Sequence, residues 1–225
     1  MKTEEMRLIH QDPQILVVHK PSGWTVYHEE GVPKSQQLQA VCKEMLTEDV
    51  HPVHRLDRAT CGLVVLAGAG RWARVMQEQF SGREVKKTYF GLVYGDFKGS
   101  KKIDMKLREK GKGEQQAISQ IKSKSQGKLG EFPVTLVELI PETGRFHQLR
   151  KHCKEIGHPI VGDSLYGFSH QDKQLKEICD IRLMLSAVAL SFAHPRTNKQ
   201  LKFSDTPDRS FVDILELSGI KLGRH

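Results

Sequence analysis

The sequence predicts an α+β fold whose strands pair mainly antiparallel. Strand-like runs rich in β-branched and aromatic residues recur along the chain, at 15–18, 62–67, 88–94, 134–139 and 187–192. Several follow one another with no helical stretch between them, which argues against repeated βαβ units. Helical patterning appears only near 36–46, 72–80 and 146–156. No internal repeat is visible.

Taken in order, each element has its own warrant. The run 15–18, Ile-Leu-Val-Val, is short and apolar and reads as a strand. Stretches 36–46 and 72–80 carry apolar residues at helical spacing. In 88–94, alternation puts Tyr89 on one face with Gly91 and Val93, and turns Phe90, Leu92 and Tyr94 toward the core. In 146–156, Leu149, Cys153 and Ile156 recur at i, i+4 and i+7, an apolar stripe with Arg150 and Lys154 beside it and His147 one turn before Arg150. Gly157 then suits a helix C-cap.

The segment 98–130 stands apart, rich in Lys, Gly, Ser and Gln, with Lys101, Lys102, Lys106, Arg108, Lys110 and Lys112 crowded together. Two readings are open for it: a solvated flexible connection, or a basic flap over an RNA backbone. Strand patterns lie on both sides of it, so it reads as an insertion within a single domain spanning 1–225.

A length of 225 residues is ample for a hydrophobic core. The net charge of +8 agrees with a polyanionic partner. Aromatics make up only 7%, too few for a long single-strand stacking platform. Cys42, Cys61, Cys153 and Cys179 form no CxxC pair and read as reduced thiols, neither a disulfide framework nor a zinc site. No apolar run approaches the ~20 residues of a membrane helix. The opening Met1-Lys2-Thr3-Glu4-Glu5 lacks a signal-peptide core, so a cytoplasmic protein away from membranes is expected.

The densest chemistry lies in His54-Arg55-Leu56-Asp57-Arg58-Ala59-Thr60-Cys61-Gly62. Two guanidiniums flank one carboxylate, which favours its charged form and suits nucleophilic or electrostatic work. Lys20-Pro21-Ser22-Gly23-Trp24 precedes it and Lys87-Thr88-Tyr89 follows. Thr143-Gly144-Arg145-Phe146-His147-Gln148-Leu149-Arg150-Lys151-His152 runs on to Gly157-His158-Pro159-Ile160-Val161-Gly162-Asp163. His147, His152, Cys153 and His158 invite a metal reading, but residues five apart on a helix differ by ~140° in direction, so His147 and His152 cannot face one ion. No metal is expected there.

These four stretches, in their order along the chain, resemble the motifs of RluA-type pseudouridine synthases: KPxG, HRLDxxTSG, K-x-Y and TGRxHQ(I/L)RxH…GHP(I/L)xGD. The resemblance spans about 15–195. The departures are Cys61, where the family has Ser, and Ser186, where a His is common; both lie beside the core motifs and touch packing more than the reaction. The resemblance implies a bent, largely antiparallel mixed sheet with flanking helices and a central RNA-binding cleft. It implies an isomerase that converts a specific uridine of tRNA or ribosomal RNA to pseudouridine without metal or organic cofactor. Only nineteen residues precede Lys20, so no N-terminal RNA-binding module of the S4 type is expected, and the protein would find its RNA stem-loop unaided, as a monomer.

The reaction breaks the bond from base N1 to ribose C1′, turns the base over and joins C5 to C1′. By resemblance, Asp57 is the carboxylate at C1′, either attacking it or taking a ribose proton. Tyr89 is the platform for the ring and the candidate base for the C5 proton, and Arg150 is the partner of Asp57. Arg55, with Arg58 as the alternative, fills the space of a flipped uridine, while Lys20, Arg145 and His147 complete the substrate contacts. His54 reads as a structural hydrogen-bonding residue. Two other classes are weighed. A non-catalytic RNA-binding protein or chaperone on this fold would have no need of a carboxylate amid phosphates. A metal-dependent nuclease would need a carboxylate cluster that these motifs lack.

Overall fold

The computed structural model describes residues 5–44, 49–109, 111 and 113–223. In chain order the strands are β1 (Arg7–Gln11), β2 (Ile15–Lys20), β3 (His51–Pro52), β4 (Cys61–Ala67), β5 (Lys86–Tyr94), β6 (Ser100–Glu109), β7 (Gly113–Leu129), β8 (Phe132–Pro141), β9 (Leu185–Ala193) and β10 (Gln200–Ser204). The helices are α1 (Leu38–Lys43), α2 (Gly70–Ser81), α3 (Gln148–Glu155), α4 (Ser169–Leu175) and α5 (Arg209–Leu217). The chain forms two compact units, one from 1–87 and 187–208, the other from 88–186 and 209–225.

In the first unit β2 lies between β1 and β4, antiparallel to both, with Ile15 opposite Ala67 and Lys20 opposite Gly62. β3 pairs with β4 and β10 with β9, both antiparallel. Every residue of β2 and β4 is buried, which explains continuous apolar runs where a half-exposed strand would alternate. Ile15, Val17, Leu63, Val65 and Ala67 share one core with Ala73 and Met76 of α2 and with Leu190 and Phe192 of β9. Gly62 is obligatory: at φ +114 it passes so close to β9 that an added Cβ would lie 2.2 Å from the Ala187 carbonyl oxygen. That glycine fixes where the Asp57 loop meets the sheet.

In the second unit β5, β8, β7 and β6 pair in that order, each antiparallel to the next. The flexible connection expected over 98–130 is corrected to a long hairpin, in which Glu109 pairs with Gly113. Its charge density hid an alternation: Ile103, Leu107, Ala117 and Ile121 are buried, whereas Lys102, Asp104, Lys106 and Arg108 are exposed. Lys110 and Lys112 lie outside the described residues. On β5 the expected facing is also corrected, since Gly91 and Val93 are as buried as Phe90, Leu92 and Tyr94. The Leu92 N–H donates to the Met184 carbonyl and the Tyr94 N–H to that of Pro159, so neighbouring segments cover the strand.

The helix expected over 36–46 is α1 with a 3-10 turn at Lys34–Gln36 before it, and 45–48 lie outside the described residues. Among the described residues no helix is long and apolar enough to cross a membrane.

Candidate active site

In the first unit the Asp57 loop runs from 53 to 60 between β3 and β4. Lys20, at the end of β2, is completely buried, and its Nζ donates to the carbonyls of Pro21 (3.0 Å), Trp24 (2.9 Å) and Arg58 (3.2 Å). The Gly23 N–H donates to the same Arg58 carbonyl, and Ser22 Oγ donates to that of Ala59. The lysine–proline segment and the aspartate loop are thus laced together through backbone oxygens. The expected substrate contact for Lys20 is corrected on this ground: an ammonium buried among carbonyls anchors a loop and is not open to RNA.

The Thr60 N–H donates to the Asp57 carbonyl at 3.0 Å, a turn that leaves Asp57 half-buried. Arg55 and Arg58 are exposed, and Arg58 Nε donates back to the Gly23 carbonyl at 3.0 Å. Both arginines line a cleft of about 110 Å³ with Leu56 and residues 25–29. Tyr27 in this cleft was not singled out from the sequence, although it follows the Lys20 segment closely. Burial raises its pKa, and the Arg55 charge offsets part of that rise. His54 behaves as the sequence suggests. Its Nε2 accepts the Val65 N–H at 3.0 Å and its ring stacks on Phe80 at 4.5 Å. Burial, helped by the Lys87 charge, pushes its pKa down to about 3, so it is neutral and structural at physiological pH.

In the second unit Tyr89 lies on β5 opposite Leu139, half-buried where the strand enters the core. The Thr143–Arg150 motif is held by one glutamine. Gln148 Oε1 accepts from Thr143 Oγ1 (2.6 Å) and from the Arg145 N–H, while its Nε2 donates to the Ile118 carbonyl and to Ser119 Oγ. Arg145 Nε donates to the Gln116 carbonyl, tying the turn to β7. His147 takes the left-handed conformation at φ 54, which starts α3 abruptly. Its ring stacks on the exposed Phe146 at 3.7 Å, and its Nδ1 lies 3.1 Å from Tyr166 Oη.

Arg150, on the first turns of α3, is 6% exposed and grips Asp163 with two nitrogens, Nε to Oδ2 at 2.8 Å and an Nη to Oδ1 at 2.7 Å. The Leu165 and Tyr166 N–H groups also donate to Asp163 Oδ1. Burial alone would raise the Asp163 pKa, but the Arg150 bond and charge and those two amides hold it below the usual carboxylate range. The sequence reading did not single out Asp163 as the partner of Arg150, although it closes the same motif. The glycine before it is required: Gly162 has φ +74, and an added Cβ would lie 2.0 Å from the Arg182 carbonyl oxygen.

Residues 14–155 match the RNA pseudouridylate synthase family. The chain is 32% identical to tRNA pseudouridine synthase C of Pasteurella multocida, over 94% of this chain and 96% of that protein. It is 34% identical to tRNA pseudouridine synthase C of Haemophilus ducreyi, over 96% of each. Among solved structures, human RNA pseudouridylate synthase domain containing 1 superposes with a TM-score of 0.75 at 25% identity, covering 95% of this chain and 89% of that one. Human RNA pseudouridylate synthase domain containing 4 has a TM-score of 0.78 at 24% identity, covering 97% and 95%, a likeness of fold. Relatedness of this extent agrees with the ordered motifs and the antiparallel α+β architecture, and the chain belongs to the RNA pseudouridylate synthase family: it is an isomerase that makes pseudouridine from uridine in RNA.

Proposed function

We propose that this isomerase acts on a uridine of tRNA, with Asp57 as the carboxylate at C1′, Tyr89 beneath the base and Arg150 as the fixed cation of the site. The observation that carries the substrate is full-length relatedness to proteins named for tRNA, at 32% and 34% identity. The lacing of the Asp57 loop supports the catalytic assignment, because a carboxylate that meets an electron-poor carbon must be held before charge develops. Arg55 and Arg58, exposed on the cleft beside Tyr27, are suited to fill the gap left by a flipped nucleotide and to meet its phosphates. Arg145 and His147 present a basic turn with an exposed aromatic ring between them. The protein is taken to work as a cytoplasmic monomer, which light scattering on the purified chain and cell fractionation check.

Pseudouridine mapping on unmodified tRNA and ribosomal RNA transcripts tests the substrate. Product in tRNA is expected; product in ribosomal RNA alone would overturn the substrate while leaving the activity intact.

Tyr89→Phe divides the ring from the hydroxyl. Tight RNA binding and little product are expected, since the aromatic face remains while the C5 proton loses its candidate base. A free tyrosine has a pKa of ~10, so this role needs a nearby cation. Near-normal product from Tyr89→Phe would assign proton removal to water or to Asp57.

The hairpin of β6 and β7 offers Lys102, Lys106 and Arg108 on its solvent face, with Lys102 bridged to Glu142 at 3.4 Å. Replacing these three by Gln is expected to raise the Kd for RNA and flatten its salt dependence, by ~0.7 in log–log slope per lost contact on single-stranded RNA. Single-turnover rates at saturating RNA should persist. An unchanged slope would make the hairpin a bystander.

A further inference from the structure

We propose that His19, Cys61 and Asp208 form a buried site for one zinc-class divalent cation, which fastens the two strands that carry the Asp57 loop. These residues are far apart in sequence, so no ligand spacing reveals them. In the structure a histidine nitrogen, a thiol sulfur and a carboxylate oxygen all come within 4.8 Å of one another. The residues are 1%, 0% and 2% exposed. Zinc bonds of ~2.0–2.3 Å in a tetrahedron set donor atoms roughly 3.5 Å apart, so small side-chain adjustments close the group on an ion.

Strand register explains the approach. His19 on β2 is opposite Leu63 of β4, and Cys61 lies two residues before Leu63, so His19 and Cys61 are diagonal neighbours on one face of the sheet. Two further observations point to a ligand. The His19 Nε2 is buried without a hydrogen-bond partner among the described residues, an arrangement that folded proteins ordinarily avoid. Its other nitrogen, Nδ1, lies 2.7 Å from Asp205 Oδ2 and 2.9 Å from an Arg7 Nη that also clamps that carboxylate at 2.6 Å. The tautomer that donates its Nδ1 proton to Asp205 is the one a metal on Nε2 requires. A carboxylate on one imidazole nitrogen leaves the lone pair on the other, the arrangement that orients metal-binding histidines.

The donor set suits a borderline-soft cation such as zinc, and not magnesium or calcium, which take oxygen ligands. One thiolate and one carboxylate neutralise a divalent charge, with the thiol proton released to solvent. Cys61 stands where the motif it resembles has Ser, so the soft ligand belongs to this chain's own sequence. The ion would join the end of β2, next to Lys20, to the start of β4, four residues after Asp57, and act structurally.

Because the site is enclosed, it would fill as the chain folds. The test is the protein as made in cells, purified without a histidine tag or chelator, from zinc-supplemented and from cobalt-supplemented medium. About one zinc per chain is expected to survive dialysis. The cobalt form should show a near-ultraviolet thiolate charge-transfer band and, with a water completing the three side-chain donors, the visible spectrum of a tetrahedral ion. Cys61→Ser should abolish that band, and Asp205→Asn should weaken retention against a competing chelator by ~10–100-fold. Wild-type protein holding about 0.1 equivalent or less of either metal would overturn the site whether or not any variant folds. An unchanged band in Cys61→Ser would overturn it equally, assigning the metal to another thiol.

Discussion

Asp57→Asn is expected to lower turnover by at least about 10³-fold while leaving the fold and RNA affinity almost unchanged. The amide matches the carboxylate in shape but supplies no negative charge at C1′. Several backbone contacts that hold the loop survive the substitution. The loop is held by Lys20 Nζ and the Gly23 N–H on the Arg58 carbonyl, by Ser22 on the Ala59 carbonyl and by the Thr60 N–H on the Asp57 carbonyl. Those contacts use backbone oxygens, so none depends on the Asp57 carboxylate. Tritium release from 5-tritiated uridine RNA measures turnover, and thermal unfolding should differ by no more than about 2 °C. Activity within about tenfold of wild type would remove Asp57 from the chemistry.

What could be read from the sequence follows from how each signal arises. The continuous apolar runs of β2 and β4 are legible because strands buried on both faces cannot tolerate polar residues. The β6–β7 hairpin was obscured because its outer face is almost wholly charged or amide-bearing, and alternate Ile103, Leu107, Ala117 and Ile121 are easily lost among lysines. On β5 the alternation misled: Tyr89 is half-buried, but Val93 two residues along its face is fully covered. The site divides in the same way. The proposed residues Asp57, Tyr89 and Arg150 stand out because their motifs are dense. The role of Lys20 is not, since a lysine beside a proline and a glycine looks like a phosphate ligand until its burial is known. Asp163 depends on tertiary contact across thirteen residues, which no local period reports.

Arg150→Met is expected to cost both activity and stability, and the two losses can be separated. The variant leaves Asp163, whose side chain is 0% exposed, without the guanidinium that holds it ionised. Removing one partner of such a buried pair typically costs ~3–5 kcal/mol, roughly 10 °C in Tm for a chain of this size. In the wild type the folded-state pKa of Asp163 lies below its unfolded value, ~3.9 for a free aspartate. Its contribution to stability is therefore fully present above that unfolded value and lost as pH falls through the folded one. Without Arg150, burial acts on Asp163 with less opposition and raises its pKa, so acidification relieves the variant. The stability gap should thus be widest near neutral pH and narrow toward pH ~4, in denaturant titrations at both. Asp163→Asn added to Arg150→Met should recover much of the lost stability, because a neutral amide tolerates the vacated pocket better than a carboxylate. It should not recover turnover if Arg150 is the cation of the site. Recovery of both together would make Arg150 a packing residue, and catalysis would have to draw its positive charge from elsewhere.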